Sequence, residues 1–427
     1  MIWMDVSDLA RFSANVNSVT GIQRTVFDLL VSMRQSGHEF KLCSYDIFYR
    51  IYVEVEFSSL ELASARKDRS PFMSDPGRRI VKTLISLVPK KIGRKKIAGA
   101  IDDWLRPVEP CKPAKFSSGD TIVCLGAFWD VPNYVDIVRT EIFASRMKFA
   151  IIVYDLIQIQ YPNWFPRGHV EDWREKLHAL ISISDAVFVI SEFTGQALTA
   201  YASERRIKIP KVTEIRLGDP MFSRALVEKY PASDGSVDSR LGSIDQRLDS
   251  KNYIMVVGSI DVRKNQRFLL PIWARLLKEL GEQTPYLVIA GKPGIGSDGF
   301  FAALGSSAVL RNNVIVLRDL NDAQLSQLYR RTMFTVFPTL AEGWGYPVAE
   351  SLAFNKVCIA SKIDSIPEVG GDLCFYIDPN DMEAAYQLIK SFIVDRDQRE
   401  RAEARIASEY KPTDWSVTAQ TIFDTVR

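Results

Sequence analysis

Glu342 and Glu350 stand eight residues apart in the run Phe337-Pro338-Thr339-Leu340-Ala341-Glu342-Gly343-Trp344-Gly345-Tyr346-Pro347-Val348-Ala349-Glu350. An apolar strand is expected to end at Phe337. A loop with glycines on both sides of Trp344 follows, and Pro347 suits the first position of a helix running through Ala353. Ligands of open α/β sheets bind outside the carboxyl ends of the strands. Glycines there let backbone N–H groups approach a ligand, and the helix N-terminus favours a phosphate. Glu342 in the loop and Glu350, expected in the first helical turn, could accept hydrogen bonds from vicinal hydroxyls of a sugar or ribose. A turn with solvated acids is the competing reading.

A second strand-to-loop run is Val257-Gly258-Ser259-Ile260-Asp261-Val262-Arg263-Lys264-Asn265. Arg263 and Lys264 are expected at the start of the next helix, where the dipole disfavours cations without a ligand. Two cations at a strand end suggest an anion such as a diphosphate. An ordinary exposed basic pair is the alternative.

The elements that position these residues come from two alternations of short apolar runs with longer amphipathic ones. In the first half the strands are expected at 2–4, 40–45, 121–125, 149–153, 186–190 and 212–215. In the second half they are expected at 253–257, 286–290, 314–317, 333–337, 357–360 and 374–377. Continuous apolar runs of this length suit parallel strands buried on both faces. Phe268, Ile272, Leu276 and Leu280 recur every four residues on one face of an intervening helix. The class is therefore α/β, with a doubly wound sheet formed twice. Residues 1–231 make the first domain, with an insertion at about 50–118. A polar linker spans 232–250, and a second domain spans 251–411. A break at Lys411-Pro412 precedes a helix over 416–426 that Thr413 or Asp414 could cap; residues 412–427 are assigned to the first domain.

The chain has 427 residues, 54 Lys+Arg against 52 Asp+Glu, and 47% hydrophobic residues. That balance argues against a nucleic-acid binder working through bulk charge, and the composition excludes global disorder. Five scattered cysteines (Cys43, Cys111, Cys124, Cys358, Cys374) form no C-x-x-C pair, so neither a zinc site nor a disulfide framework is indicated. Cys124, Cys358 and Cys374 lie in apolar runs and read as buried thiols, which fits a reducing cytosol. No export signal or membrane-spanning stretch is visible. Residues 78–97 interleave Arg78, Arg79, Lys82, Lys90, Lys91, Arg94, Lys95 and Lys96 with apolar side chains. Such a segment suits the anionic inner face of a membrane or, alternatively, a solvated helix face.

Together the two runs resemble the retaining nucleotide-sugar glycosyltransferases of family four. Glu342 and Glu350 match that family's Glu-x7-Glu pattern, and Gly258 with Arg263-Lys264-Asn265 matches its Gly-x4-Arg-Lys-Asn pattern. Looser likenesses lie at Thr20-Gly21-Ile22-Gln23-Arg24, Val153-Tyr154-Asp155, Val189-Ile190-Ser191-Glu192-Phe193 and Ser365-Ile366-Pro367-Glu368-Val369-Gly370-Gly371. The resemblance implies a GT-B fold, two Rossmann-like domains facing each other across a cleft, with the second domain holding the donor nucleotide. It implies that Glu342 touches the transferred sugar, that Glu350 holds the ribose and that Arg263 and Lys264 neutralise the diphosphate. Gly343, Trp344, Gly345 and Tyr346 would line the donor, and Gly21 would close the first domain's loop on it. Many relatives carry His where Tyr154 stands; Asp155 is kept and would orient the acceptor. Aromatic loops containing Trp129, Asp130, Tyr134, Tyr161, Trp164 and Phe165 are assigned to the acceptor side, with core packing as the alternative. His169 lies near that loop and reads as a surface residue.

The expected activity is retaining transfer of a hexose onto a lipid-linked saccharide during cell-surface polysaccharide (O-antigen, capsule or exopolysaccharide) assembly, on the cytoplasmic side. GDP-mannose is the first choice of donor, because the Thr20–Arg24 run looks like mannosyltransferases of polysaccharide assembly; dTDP-rhamnose and UDP-sugars are alternatives. No metal or other cofactor is expected, the cation pair standing in for one. Asp395-Arg396-Asp397, the Asp-x-Asp spacing in a charged helical run, reads as a solvated face. A nucleotide-sugar epimerase and a non-catalytic nucleotide-binding partner remain the other classes.

Overall fold

The structure is a computed structural model that describes residues 1–13, 21–46, 50–57, 112–219, 245–249 and 251–427. The first sheet has the order β3-β2-β1-β4-β5-β6-β7. Its strands are β1 (Ile2–Asp5), β2 (Lys41–Asp46), β3 (Ile51–Val55), β4 (Thr121–Cys124), β5 (Lys148–Val153), β6 (Ala186–Val189) and β7 (Val212–Glu214). All neighbours pair in parallel except β2 and β3, which are antiparallel with Ser44 opposite Val53. Ile51–Val55 is a correction to the sequence reading, which placed these residues in an insertion outside the alternation. The strand is short and lies at the sheet edge, and Glu54 interrupts its apolar run. Residues 58–111 of that insertion, including the basic run 78–97, lie outside the described residues.

The second sheet has the order β10-β9-β8-β11-β12-β13 and is parallel throughout. Its strands are β8 (Tyr253–Val257), β9 (Tyr286–Ala290), β10 (Val314–Leu317), β11 (Thr335–Phe337), β12 (Cys358–Ser361) and β13 (Phe375–Ile377). Both sheets reverse direction of winding beside their first strand, between β1 and β4 and between β8 and β11. A ligand-binding crevice lies outside the carboxyl ends of strands at such a switch.

Most of the expected linker lies outside the described residues. Its described part, Gln246–Asp249, is a short 3₁₀ turn whose Leu248 packs with Tyr253, Met255 and Leu328 of the second half. The final helix, Trp415–Val426, is capped by Asp414, whose carboxylate accepts the Ser416 N–H. It buries Trp415, Ala419, Ile422, Phe423 and Val426 against Met4, Val26, Leu29 and Leu30 of the first half. Each such side chain contributes about 1.5–3 kcal/mol on burial. Gly218 makes this close fit possible: a Cβ there would stand 2.4 Å from Trp415 Cγ. Cys43, Cys124, Cys358 and Cys374 are buried free thiols. Among the described residues no helix is long and apolar enough to cross a membrane.

Candidate functional site

The carboxyl ends of β8 and β9 are in backbone contact. Gly258 has φ of 132°, and its carbonyl oxygen would stand 1.9 Å from a Cβ on Gly291. Beyond Gly258 the chain turns tightly. Asp261 accepts both the Lys264 N–H at 2.9 Å and the Ser259 hydroxyl at 2.6 Å. The turn continues through Asn265, with φ of 55°, into a 3₁₀ turn, and the α-helix begins only at Leu269. Arg263 and Lys264 therefore precede the helix rather than start it, a correction to the sequence reading. Local carboxylate capping by Asp261 displaces the helix start.

These two cations converge on one carboxylate. Arg263 Nη1 and Lys264 Nζ donate to Glu342 Oε1 at 2.7 and 2.6 Å, and the Thr339 hydroxyl donates to the same oxygen at 2.9 Å. Lys264 Nζ also lies 4.6 Å from the Phe337 ring centre. Burial alone would raise the Glu342 pKa, but Arg263 and Lys264 outweigh it and hold the carboxyl below its ordinary value. Burial pulls the Lys264 ammonium below its ordinary pKa, with Glu342 opposing. Asp261 also lies 4.0 Å from Arg263, so the two cations are held by carboxylates at one end of the cavity, where their donors suit an entering diphosphate.

The loop that carries Glu342 is pinned from behind. Asp364 accepts the Glu342 N–H at 2.9 Å, and the Ser365 hydroxyl donates to the carbonyls of Glu342 and Trp344. Gly345 has φ of 118° and leads into the helix Tyr346–Ala353. Glu350 falls in the second turn of that helix rather than the first, because helical geometry already begins at Tyr346. It is buried, Oε2 accepting the Tyr329 hydroxyl at 2.6 Å. Burial raises its pKa, which Tyr329 and Arg24 only partly oppose.

The first half closes the other side of a cavity of about 740 Å³. Gly21, φ 57°, precedes the helix Ile22–Gln35. Neither this helix nor Tyr346–Ala353 has a side-chain cap or an acid in its first turn. Elsewhere Asn321, Asp381, Asp395 and Asp414 cap their helices. Two open, positively polarised helix ends thus line one cavity. The cavity is also lined by Arg263, Lys264, Glu342, Gly343, Trp344, Glu350, Gly258, Tyr154, Asp155 and Trp129.

Polar bonds span the two halves. Arg24 Nη2 donates to Asp322 at 2.6 Å and Thr25 Oγ1 to Tyr346 Oη at 3.0 Å. Glu368 accepts the N–H groups of Glu192 and Phe193 at 2.8 and 2.9 Å. Those groups open the helix Glu192–Glu204.

Burial raises the Asp155 pKa, partly opposed by Arg263, and Oδ1 accepts the Ile157 N–H at 3.1 Å. The Tyr154 hydroxyl donates to the Leu125 carbonyl at 2.7 Å, so it is committed to the fold. Asn265 and Trp164 do not line the cavity. Asn265 supplies the left-handed turn residue after Lys264, a conformation Asn tolerates well. Trp164 stacks on Tyr161 with ring centres 4.2 Å apart. Tyr134 is buried and donates to Asp5 at 2.6 Å, which is core packing. His169 is exposed. Asp395 caps its helix by accepting the Gln398 N–H. Among the described residues no cluster of three or more His, Cys, Asp or Glu could hold a metal ion.

Sequence reasoning assigned no role to several lining residues: Arg24, Gln158, Trp173, Gly291, Lys292 and Asp319. Gly291 follows an apolar run, a signal of the same kind as Gly258. Gln158 and Trp173 lie in helices, where sequence gives no sign of what they face.

Residues 243–408 match the family described as glycosyl transferases group 1. The chain is 25% identical over 302 residues to the O-antigen chain mannosyltransferase B of Escherichia coli, covering 69% of this chain and 75% of that protein. It is 24% identical over 283 residues to the serotype-specific mannosyltransferase WbdA of Escherichia coli, covering 65% of this chain but only 34% of that relative. Among solved structures it resembles Anabaena HepE in complex with UDP-glucose, with TM-score 0.58, 14% identity and coverage of 99% of this chain and 98% of that one.

Proposed function

We propose that this GT-B chain, whose residues 243–408 form a group 1 glycosyl transferase domain, is a retaining hexosyltransferase. Its first-choice donor is GDP-mannose and its acceptor a lipid-linked saccharide of a cell-surface polysaccharide. The supporting observation is the meeting of Arg263, Lys264 and Glu342 in a cavity flanked by two uncapped helix N-termini. The O-antigen names of the relatives favour mannose, and the UDP-glucose held by HepE keeps UDP-sugars as the alternative donors.

Transfer breaks the bond from the anomeric carbon to a phosphate oxygen. Negative charge grows on the departing diphosphate and positive charge on the ring. Arg263, Lys264 and the two helix ends stabilise the first; one such donor is worth about 3–4 kcal/mol of barrier. Glu342 holds both cations in place, and its Oε2, which has no partner among the described residues, is available to a sugar hydroxyl. Glu350 accepts from the ribose. With front-side attack the leaving phosphate oxygen takes the acceptor's proton, so no strong protein base is required, and Asp155 orients the acceptor. These charges do the work that a metal does elsewhere, so transfer persists in excess chelator.

The test is incubation of the purified protein with labelled GDP-mannose, UDP-glucose, UDP-galactose and dTDP-rhamnose, with membrane lipid extract as acceptor, in the presence and absence of EDTA. Retention is read from the one-bond C1–H1 coupling of the product, which distinguishes the anomers of manno-configured sugars as well. Transfer from a UDP- or dTDP-sugar but not from GDP-mannose removes the donor assignment. Turnover of none, with no nucleotide bound in calorimetry, removes the enzyme reading.

A further inference from the structure

The wall of the cavity contributed by the first half holds two polar atoms without partners. Trp173, in the helix Arg167–Ile183, is 2% exposed, and its indole Nε1 has no hydrogen-bond partner. Gln158, in the short helix Ile157–Gln160, is half-buried, and its amide Oε1 is buried and unpaired. Both residues line the cavity. Among the described residues three other buried indoles are satisfied: Trp3 donates to Asp120, Trp273 to the Pro285 carbonyl and Trp415 to the Asp219 carbonyl. Leaving a buried donor or acceptor unpaired costs about 1–3 kcal/mol, so two of opposite polarity on one wall require an explanation.

Their surroundings specify the ligand. Trp129 and Phe165 line the same wall, and the Trp129 and Trp173 ring centres are 6.1 Å apart. Lys176 holds the Trp129 carbonyl at 3.2 Å, fixing that segment. Gln158 lies three residues after Asp155, whose carboxyl senses both Arg263 and Glu342. The wall therefore adjoins the cation–carboxylate centre from the first domain. Aromatic faces with one orphan donor and one orphan acceptor match a pyranoside ring, whose hydroxyls accept and donate.

We propose that Gln158 and Trp173 read the hydroxyls of the acceptor sugar. The pyranoside lies against Trp129 and Phe165, one hydroxyl accepts from Trp173 Nε1 and a hydroxyl donates to Gln158 Oε1. Both atoms are shielded from solvent in the ligand-free chain, so the sugar reaches them only if the half-buried Gln158 side chain turns as it enters. This inference rests on the transferase reading and adds which residues select the acceptor.

The experiment uses the full chain, labelled nucleotide-sugar and the methyl α-glycosides of mannose, glucose, galactose, rhamnose and N-acetylglucosamine, with monodeoxy forms of the best acceptor. Gln158→Met keeps bulk and removes the amide; Trp173→Phe removes the indole N–H. Both variants are expected to raise the acceptor KM by roughly 10-fold or more, the scale of one lost hydrogen bond. The penalty that the wild type imposes on one monodeoxy glycoside is expected to disappear in the matching variant. Nucleotide affinity by calorimetry is expected to stay within about twofold. Should Trp173→Phe fail to fold, Gln158→Met carries the same comparison. Unchanged acceptor KM and unchanged deoxy penalties overturn the inference, as does a wild type that binds and hydrolyses donor but accepts no glycoside. A wild type that binds no nucleotide in calorimetry overturns the transferase reading itself, and the inference with it.

Discussion

Gly343 lies against Tyr154 so closely that a Cβ on the glycine would stand 2.4 Å from the Tyr154 carbonyl oxygen and 3.0 Å from Asp155 Cβ. The loop carrying Glu342 thus touches the segment just beyond the carboxyl end of β5. Gly343→Ala is expected to hold the two halves apart by a fraction of an ångström to an ångström. Misplacement on that scale costs on the order of 10²-fold in rate. The expected result is a kcat lowered by roughly that factor with nucleotide affinity nearly unchanged, read from initial rates and calorimetry. Wild-type turnover in the alanine variant would show that this contact does not gate the reaction.

The fold was largely legible because most strands of both sheets pair in parallel and are buried on both faces, so most of the twelve expected strands stood out as apolar runs. β3 was hidden because an antiparallel edge strand needs no such run. The cation pair and the two glutamates were legible as residues, since charge beside a glycine loop is unusual wherever it occurs. Their mutual arrangement was not. Nothing in the spacing of residues 263, 264 and 342 says that one oxygen of Glu342 receives both cations and Thr339. Nor does sequence place Gln158 and Trp173 on the cavity, because the helices Ile157–Gln160 and Arg167–Ile183 must first pack before their faces are defined.

Glu368 bridges the halves by offering one carboxylate oxygen to each of the first two N–H groups of the helix Glu192–Glu204. The carboxylate also meets the positive end of that helix, and its own carbonyl accepts from Arg216 at 3.0 Å. Glu368→Ala is expected to shift the ligand-free protein toward an open form, measured as a larger radius of gyration by small-angle scattering. Saturating nucleotide-sugar should restore much of the compaction, because it binds both halves. Identical scattering curves for variant and wild type would exclude a closing role for this contact.

Glu342→Gln leaves Arg263 and Lys264 close together without their counter-charge. Breaking a buried pair in this way costs about 3–5 kcal/mol, so a marked fall in melting temperature is expected. A nucleoside diphosphate should recover more stability in this variant than in the wild type, since it replaces the lost negative charge. In the wild type the pH effect has a definite sign. The depressed Glu342 pKa contributes stability that is fully present above the ordinary carboxylate value and is lost as pH falls through the depressed value. Equal diphosphate-induced shifts in variant and wild type would remove Arg263 and Lys264 from the anion site.

Asp8 titrates with the opposite sign. It is 5% exposed, accepts the Ala127 N–H at 2.8 Å and lies where a Cβ on Gly126 would stand 2.1 Å from its Oδ1. Burial pushes its pKa from 3.8 to about 6, the Ala127 and Leu9 N–H groups opposing and the charges of Asp5 and Asp130 adding a smaller push upward. The folded chain then keeps a proton that the unfolded chain releases. Its contribution to stability is fully present below pH 3.8 and is gone above about pH 6. At 1.36 kcal/mol per unit the change is roughly 3 kcal/mol. Asp8→Asn cannot titrate but retains an oxygen for the Ala127 N–H. The stability of the variant relative to wild type, from urea unfolding, is therefore expected to rise between about pH 4 and pH 7 and then level off. A difference that is flat with pH would mean that Asp8 is ionised in the folded protein throughout this range, with backbone N–H groups offsetting its burial.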